Sequence, residues 1–276
     1  MRLIREKATM RALSDGWHRA GETVAVVPTM GALHDGHLSL VDAARGRADR
    51  VVVTLFVNPR QFNDPEDYAR YPRTEEDDAR ILVPHGADAL YVPGPAEMYP
   101  EGFATTVTVG GPSEGLCGAT RPGHFDGVAT VVTKLLMQTG ADLAFFGEKD
   151  HQQVQVVRRL AADLDLPVTI VPCPTVREAD GLAMSSRNGR LAPEMRAAAP
   201  AIHAALTVAA RAIATGTPAG QAIEAARGAI LAAGLGPVDY LEFRPSPDSD
   251  GSGRLYVAVF AGEVRLIDNV PVAAPG

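Results

Sequence analysis

The stretch VVPTMGALHDGH, residues 26–37, decides the fold. Its opening continues a β-branched run, Thr23 to Val27, that reads as a buried strand. Its end opens a helical pattern, His37 to Arg47, with Leu38, Leu40, Val41 and Ala44 turned inward. Between them Gly31 and Gly36 allow close backbone approach and dihedrals that other residues avoid. A strand leading through a glycine turn into a helix exposes unpaired N–H groups and the positive end of the helix dipole, which suits an anion. His34 and His37 lie three apart, so both imidazoles face one side of the junction. Beside a phosphate they would donate hydrogen bonds and stabilise charge developing on a phosphoryl group. Taken alone, the same pair is a polar helix start or half of a metal site. Its place after a first strand favours the anion.

Working outward, the alternation continues. Val51 to Val57 reads as a strand, Thr74 to Val83 as a helix and Ala89 to Val92 as a strand. A helix from Phe125 to Gln138, a strand at Leu143 to Phe146, a helix from His151 to Leu164 and a strand at Val168 to Val171 follow. Strands alternating with longer helices imply an α/β fold: a parallel sheet covered on both faces, with ligands beyond the carboxyl ends of the strands. The pattern then changes. Pro193 to Ala214 and Pro218 to Ala233 read as helices, and Tyr240 to Arg244, Leu255 to Phe260 and Val264 to Ile267 as strands, an α+β unit. The boundary falls near Thr175, in PCPTVREADG, giving domains 1–175 and 176–276.

Three further segments carry chemistry. In FFGEKDHQQVQ, residues 145–155, Gly147 leaves room for a ligand, Lys149 offers an ammonium to a phosphate and Asp150 a carboxylate to ribose. Gln152, Gln153 and Gln155 are neutral groups that fix hydroxyls and carboxylates without adding charge. In READGLAMSSRNGRL, residues 177–191, Ser185, Ser186, Arg187 and Asn188 suit an oxygen-rich phosphate, on a loop able to close over a nucleotide. Between Phe56 and Leu82, Gln61 follows the second strand, and Asp77 and Asp78 are plausible magnesium or helix-terminus carboxylates. The bland alternatives are a surface turn, an interdomain loop and a solvated acidic face. His124, His151 and His203 are single histidines, and His203 reads as a packing or surface residue. There is no GxxxxGK[ST] loop, no GxGxxG after the first strand and no Gly-x-Ser-x-Gly elbow.

Composition bounds the classes. Of 276 residues, 46% are hydrophobic and 21% charged, which excludes disorder along the whole chain. The net charge is 26 − 33 = −7, and no Lys/Arg run gives a footprint for duplex nucleic acid. Cys117 and Cys173 are too few for a disulfide framework. MRLIREKATM has charges where an export signal needs its apolar core. No apolar run approaches the ~18 residues of a membrane span. The Ala-rich stretch from Ala197 to Ala233 comes closest, broken by Arg211, Glu224 and Arg227. The expectation is a cytoplasmic protein with neither nucleic acid nor membrane as partner.

Taken together, PTMGALHDGH, FVNPRQF, YPRTEEDDARIL, RPGHFDGVATVV, FGEKDHQQ and DGLAMSSRN resemble the pantoate–β-alanine ligases, in the family's order. The HxGH element alone is shared with a wider nucleotidyltransferase superfamily; the ordered set is far more specific. The resemblance implies a Rossmann-like first domain, a C-terminal lid and a homodimer made by the first domain. It implies joining of pantoate to β-alanine with ATP and Mg2+, through a pantoyl-adenylate, releasing pyrophosphate and then AMP. Carried over by motif, Met30, Gly31, Ala32, Leu33, His34, Asp35, Gly36 and His37 line the ATP site, with His37 the proton donor and His34 and Lys149 its catalytic companions. Gly147, Glu148, Lys149 and Asp150 hold ribose and phosphate, Val176 the adenine, and Met184, Ser185, Ser186 and Arg187 the triphosphate. Gln61 and Gln153 take pantoate, Gln61 also β-alanine, and Asp77 the magnesium. The chain departs from the family pattern at His151, where Tyr is common, and at Asp126, where Arg is frequent. The rivals are an adenylyltransferase, a nucleotide-binding regulator without catalysis, and a metal module built on His34, His37, Asp77 and Asp78.

Overall fold

Runs that are apolar on both faces, each followed by a helix that returns the chain to the same edge, pair in parallel. In the computed structural model, which describes residues 1–246 and 251–274, the chain divides into Met1–Pro174 and Thr175–Gly276. The first unit holds β1 (Arg2–Ile4), β2 (Val24–Thr29), β3 (Arg50–Leu55), β4 (Ala89–Tyr91), β5 (Leu143–Gly147) and β6 (Thr169–Cys173). They form one parallel sheet in the order β1-β4-β3-β2-β5-β6. Its helices are α1 (Lys7–Arg19), α2 (Asp35–Arg45), α3 (Pro65–Arg70), α4 (Glu75–Leu82), α5 (Pro95–Met98), α6 (Leu116–Thr120), α7 (His124–Thr139) and α8 (His151–Asp163).

One face of the sheet packs Val27, Val53, Leu90 and Phe145 against Leu40, Val41 and Ala44 of α2 and Leu82 of α4. On the other, Val24, Val26 and Val52 are equally buried, with α1 and α7 packed on β2. Each such side chain is worth roughly 1.5–3 kcal/mol when fully buried. The strand order reverses at β2, which has β3 on one side and β5 on the other. That is where doubly wound sheets bind ligands. Val26 lies opposite Ala144, so the same register sets Thr29 level with Gly147. The two loops singled out from the sequence therefore leave the sheet side by side.

The second unit contains α9 (Pro193–Ala198), α10 (Ala201–Ala214), α11 (Ala219–Ala232), and the antiparallel strands β7 (Val238–Pro245), β8 (Gly253–Ala261) and β9 (Val264–Val272) in that order. Ile202, Leu206 and Ile213 of α10 and Ile230 of α11 pack on Leu241, Leu255, Val257, Val259 and Leu266.

Four expectations are corrected. The run Thr23 to Val27 is not the first strand: β1 precedes it and pairs with β4 through its backbone, a contact that three residues beginning at Arg2 do not announce. The expected helix from Pro193 to Ala214 is two helices, because Pro200 has no N–H to continue the first. An 18-residue window of this stretch has a mean hydropathy of 1.4, so by length and composition it is apolar enough to cross a membrane, contrary to expectation. Its inward residues instead form the core just described. Finally, β9 runs past Ile267 to Val272, because Asp268 and Asn269 are buried strand residues and not a turn.

Candidate active site

The loop after β2 takes its shape from two successive left-handed residues, Gly31 (φ 85°) and Ala32 (φ 51°). A side chain at Gly31 would sit 3.1 Å from Asp78 Oδ2. Asp78, 2% exposed, is the post around which the loop turns. It accepts Ala32 N–H (3.0 Å) and Leu33 N–H (2.8 Å), and the Thr74 hydroxyl donates to it at 3.1 Å. The Ala32 and Leu33 amides are thus already held by protein.

The two histidine side chains are placed by a reciprocal cap. His34 is the N-cap of α2: its Nδ1 accepts Gly36 N–H at 3.1 Å, while His34 N–H donates to His37 Nδ1 at 3.4 Å. The rings lie 4.1 Å apart, tilted by 41°. With each Nδ1 an acceptor, the neutral tautomer carries its proton on Nε2, the donor an anion requires. Desolvation, then His34, then Lys149 just past the end of β5, lower the His37 pKa from 6.5 to about 3, so this ring is neutral at pH 7.

A second constellation fixes Gln61, in the turn Pro59–Gln61. Its Oε1 accepts from fully buried Asn58 at 3.0 Å, which points its Nε2 at Met30 Sδ, 3.2 Å away. Asn58 also donates to the Gly127 carbonyl (3.0 Å) and accepts from the Tyr99 hydroxyl (2.8 Å). Burial pushes that hydroxyl up to about 12, so it stays a donor. The Gln61 carbonyl is gripped by Arg121 (3.0 Å) and His124 Nδ1 (2.8 Å). Asn58, Tyr99 and His124 were missed or set aside by sequence reading. The NPRQF segment carried the signal for Asn58, but nothing local announces a hydroxyl 41 residues away.

The glutamines of α8 separate. Gln152 is buried and closes the loop before α6, accepting Cys117 N–H at 3.1 Å and donating to the Pro112 and Gly115 carbonyls. Gln155 meets His151 Nε2 at 3.2 Å, and Gln153 is half-buried. Asp126 sits in the first turn of α7, where a negative charge complements the helix dipole. Asp35 and Asp150 are exposed, and Glu148 is half-buried.

In the second unit, Val176 to Met184 form a tight hairpin. Met184 N–H donates to Val176 O (3.0 Å), Arg177 bridges Ala183, and Gly181 turns with φ 95°. This sets Val176 beside Met184 and launches Ser185 to Arg187. Ser185 Oγ accepts Arg187 N–H at 3.2 Å, a local turn that shapes the triplet.

Asp77 is exposed on α4 and paired with Arg80. Among the described residues no three His, Cys, Asp or Glu side chains gather as a cation cage. Asp78 is engaged by backbone amides and Asp77 by Arg80, so the two carboxylates of the metal-module reading are committed elsewhere.

A parallel sheet, a reciprocally capped pair of histidines and a lysine at its switch point define a Rossmann-like nucleotide-dependent enzyme. The chain belongs to the pantoate–β-alanine ligase family, whose sequence profile matches residues 2–271. It is 61% identical to a pantothenate synthetase of Chelativorans sp. (strain BNC1), covering 99% of this chain and 98% of that one. A crystal structure of pantothenate synthetase from Thermus thermophilus is 45% identical, with TM-score 0.91 and 99% of each chain covered. The pantoate–β-alanine ligase of Francisella tularensis, solved with β,γ-ATP and β-alanine, is 33% identical, with TM-score 0.85, covering 98% of this chain and 97% of that one. The chain is therefore an ATP-dependent ligase of pantothenate biosynthesis, joining pantoate to β-alanine.

Proposed function

We propose that His34, His37 and Lys149 carry the first chemical step, attack of the pantoate carboxylate on the α-phosphorus of ATP. A new O–P bond forms and pyrophosphate leaves with the electron pair. The carboxylate is already ionised at pH 7, so the step needs two anions brought together and the phosphoryl charge stabilised, not a strong base. Two Nε2–H donors and one ammonium answer that need. The neutral state of His37 supports a role as hydrogen-bond donor to the phosphoryl oxygens.

Gln61, oriented by Asn58, and Gln153 bind pantoate, and Gln61 also receives β-alanine. The amine then attacks the acyl carbon and AMP departs. Tyr99 stays protonated beside Asn58 and is no base for that amine; its proton leaves to water or to the adenylate's phosphate. Met30 to His37 and Gly147 to Asp150 serve the nucleotide, Val176 the adenine, and Met184 to Arg187 the triphosphate, the share of a lid that the family resemblance implies. The donor set fits a magnesium ion carried by the phosphates, since this ion keeps most of its waters and takes only one or two carboxylates. The carboxylate assigned to it is Asp77, which would have to leave its ion pair with Arg80. Bound there, the metal would neutralise phosphate charge.

The resemblance also supports a homodimer, expected to sediment at twice 29.0 kDa, and residence in the cytoplasm. The single observation that carries the reading is the paired histidine cap at the switch point. ATP–pyrophosphate exchange tests it. Exchange that needs pantoate but not β-alanine, followed by stoichiometric AMP and pantothenate when the amine is added, is the expected result. A folded protein that binds ATP but exchanges nothing would sink the adenylate route.

A further inference from the structure

Two adjacent polar residues interrupt the apolar run of β9, and both are buried: Asp268 and Asn269, each 4% exposed. Nothing in the ligase chemistry calls for a carboxylate in this strand. Its partner is Arg177, which grips it with both arms of the guanidinium, at 2.7 and 2.9 Å. The same Nη1 also donates to the Gly181 carbonyl at 3.1 Å, across the turn of the hairpin that Arg177 itself begins. A buried ion pair adds little net stability, because desolvating two charges offsets their attraction. Its consequence here is geometric: it ties the hairpin turn to a strand of the second unit's sheet.

The far end of the segment is tied as well. Asn188, immediately after Ser185–Arg187, donates to Glu178 (2.7 Å) and to the Ala183 carbonyl (3.1 Å). Glu178 and Asp180 are in turn held by Arg196 of α9. His203 of α10 packs beneath the turn, its ring 3.3 Å from where a Gly181 side chain would begin. The triplet is therefore suspended between two anchored points, while the remaining residues of the loop are braced by groups outside the triplet.

We propose that Asp268, acting through Arg177, is a positioning residue for the nucleotide: it fixes the hairpin from which Ser185, Ser186 and Arg187 reach the triphosphate. This rests on the reading of that triplet as triphosphate-binding. It predicts that loss of the pair weakens ATP and leaves the later partner untouched.

The test compares Asp268→Asn, which keeps the shape and removes the charge, with Arg187→Ala. In Asp268→Asn the KM for ATP in the exchange reaction rises by about 10-fold or more, equivalent to about 1.4 kcal/mol. The KM for β-alanine with preformed adenylate stays near wild type, while the thermal midpoint falls because Arg177 keeps its charge without its partner. If Arg187→Ala weakens ATP and Asp268→Asn does not, the positioning role is overturned and the triphosphate reading stands. If neither weakens ATP, both fall. Equal losses toward every substrate with a lowered midpoint mean a purely structural pair and overturn the proposal. Should Asp268→Asn not fold, Arg177→Lys keeps the charge but loses the fork and the Gly181 bond. It must show the same ATP-selective loss, and a wild-type ATP KM there would equally overturn the proposal.

Discussion

His37 shows how one side chain takes its chemistry from its surroundings. Its ordinary pKa of 6.5 falls to about 3 under desolvation and the charges of His34 and Lys149. Between those values the unfolded chain holds the proton and the folded chain does not, so stability rises with pH across this window and is lost as pH falls from 6.5 toward 3. The urea midpoint of wild type should therefore drop more between about pH 7 and about pH 5 than that of His37→Gln; equal drops would remove the assignment. Truncation of His37 or Lys149 to Ala should slow adenylation by at least ~10²-fold, the scale of one lost electrostatic stabiliser. Near-normal single-turnover pyrophosphate release in both variants would show that neither acts there. At this scale the sequence was informative about identity: HxGH and GEKD name the groups. Which nitrogen carries the proton follows only from the cap.

At the scale of elements, two contacts hold the site loops. Asp78→Ala would strip Ala32 and Leu33 of their acceptor, at about 1–3 kcal/mol for a buried donor left unsatisfied. Both the thermal midpoint and ATP affinity should fall, and an unchanged ATP affinity would show that the loop keeps its shape without this post. Gly127 in α7 allows a close approach: a Cβ there would lie 2.3 Å from the Arg60 carbonyl. Gly127→Ala must move α7 away from the Pro59–Gln61 turn, at a cost of about 1–3 kcal/mol. Gln61 should shift with it, so pantoate KM should rise further than ATP KM; parallel changes in the two would count against this coupling. The strands and long helices were legible from periodicity, with boundaries off by a residue or two except at the end of β9 and the break at Pro200, because strand periodicity and helix caps are local. The short N-terminal strand was not, since its partner lies 87 residues on, Arg2 opposite Ala89. Nor was the structural use of Asp78 and Gln152, whose partners are distant backbone groups.

At the scale of the molecule, each unit buries its own core, so damage to one should stay there. Leu206 is fully buried in α10. Its replacement by Ala should cost about 2–5 kcal/mol. Hydrogen exchange should then lose protection in Thr175–Gly276 while the parallel sheet of the first unit keeps its own; loss throughout the chain would show the two cores to be one cooperative unit. The sequence by itself determined the α/β order and the break near Thr175, because hydrophobic periodicity and glycine turns act over a few residues. Only the tertiary structure decided that β2 and β5 meet at the switch point, that backbone amides of the glycine loop are spent on Asp78, and that Asp268 grips Arg177. Those outcomes depend on which strand pairs with which, and on which polar groups burial leaves without water. Local pattern carries neither.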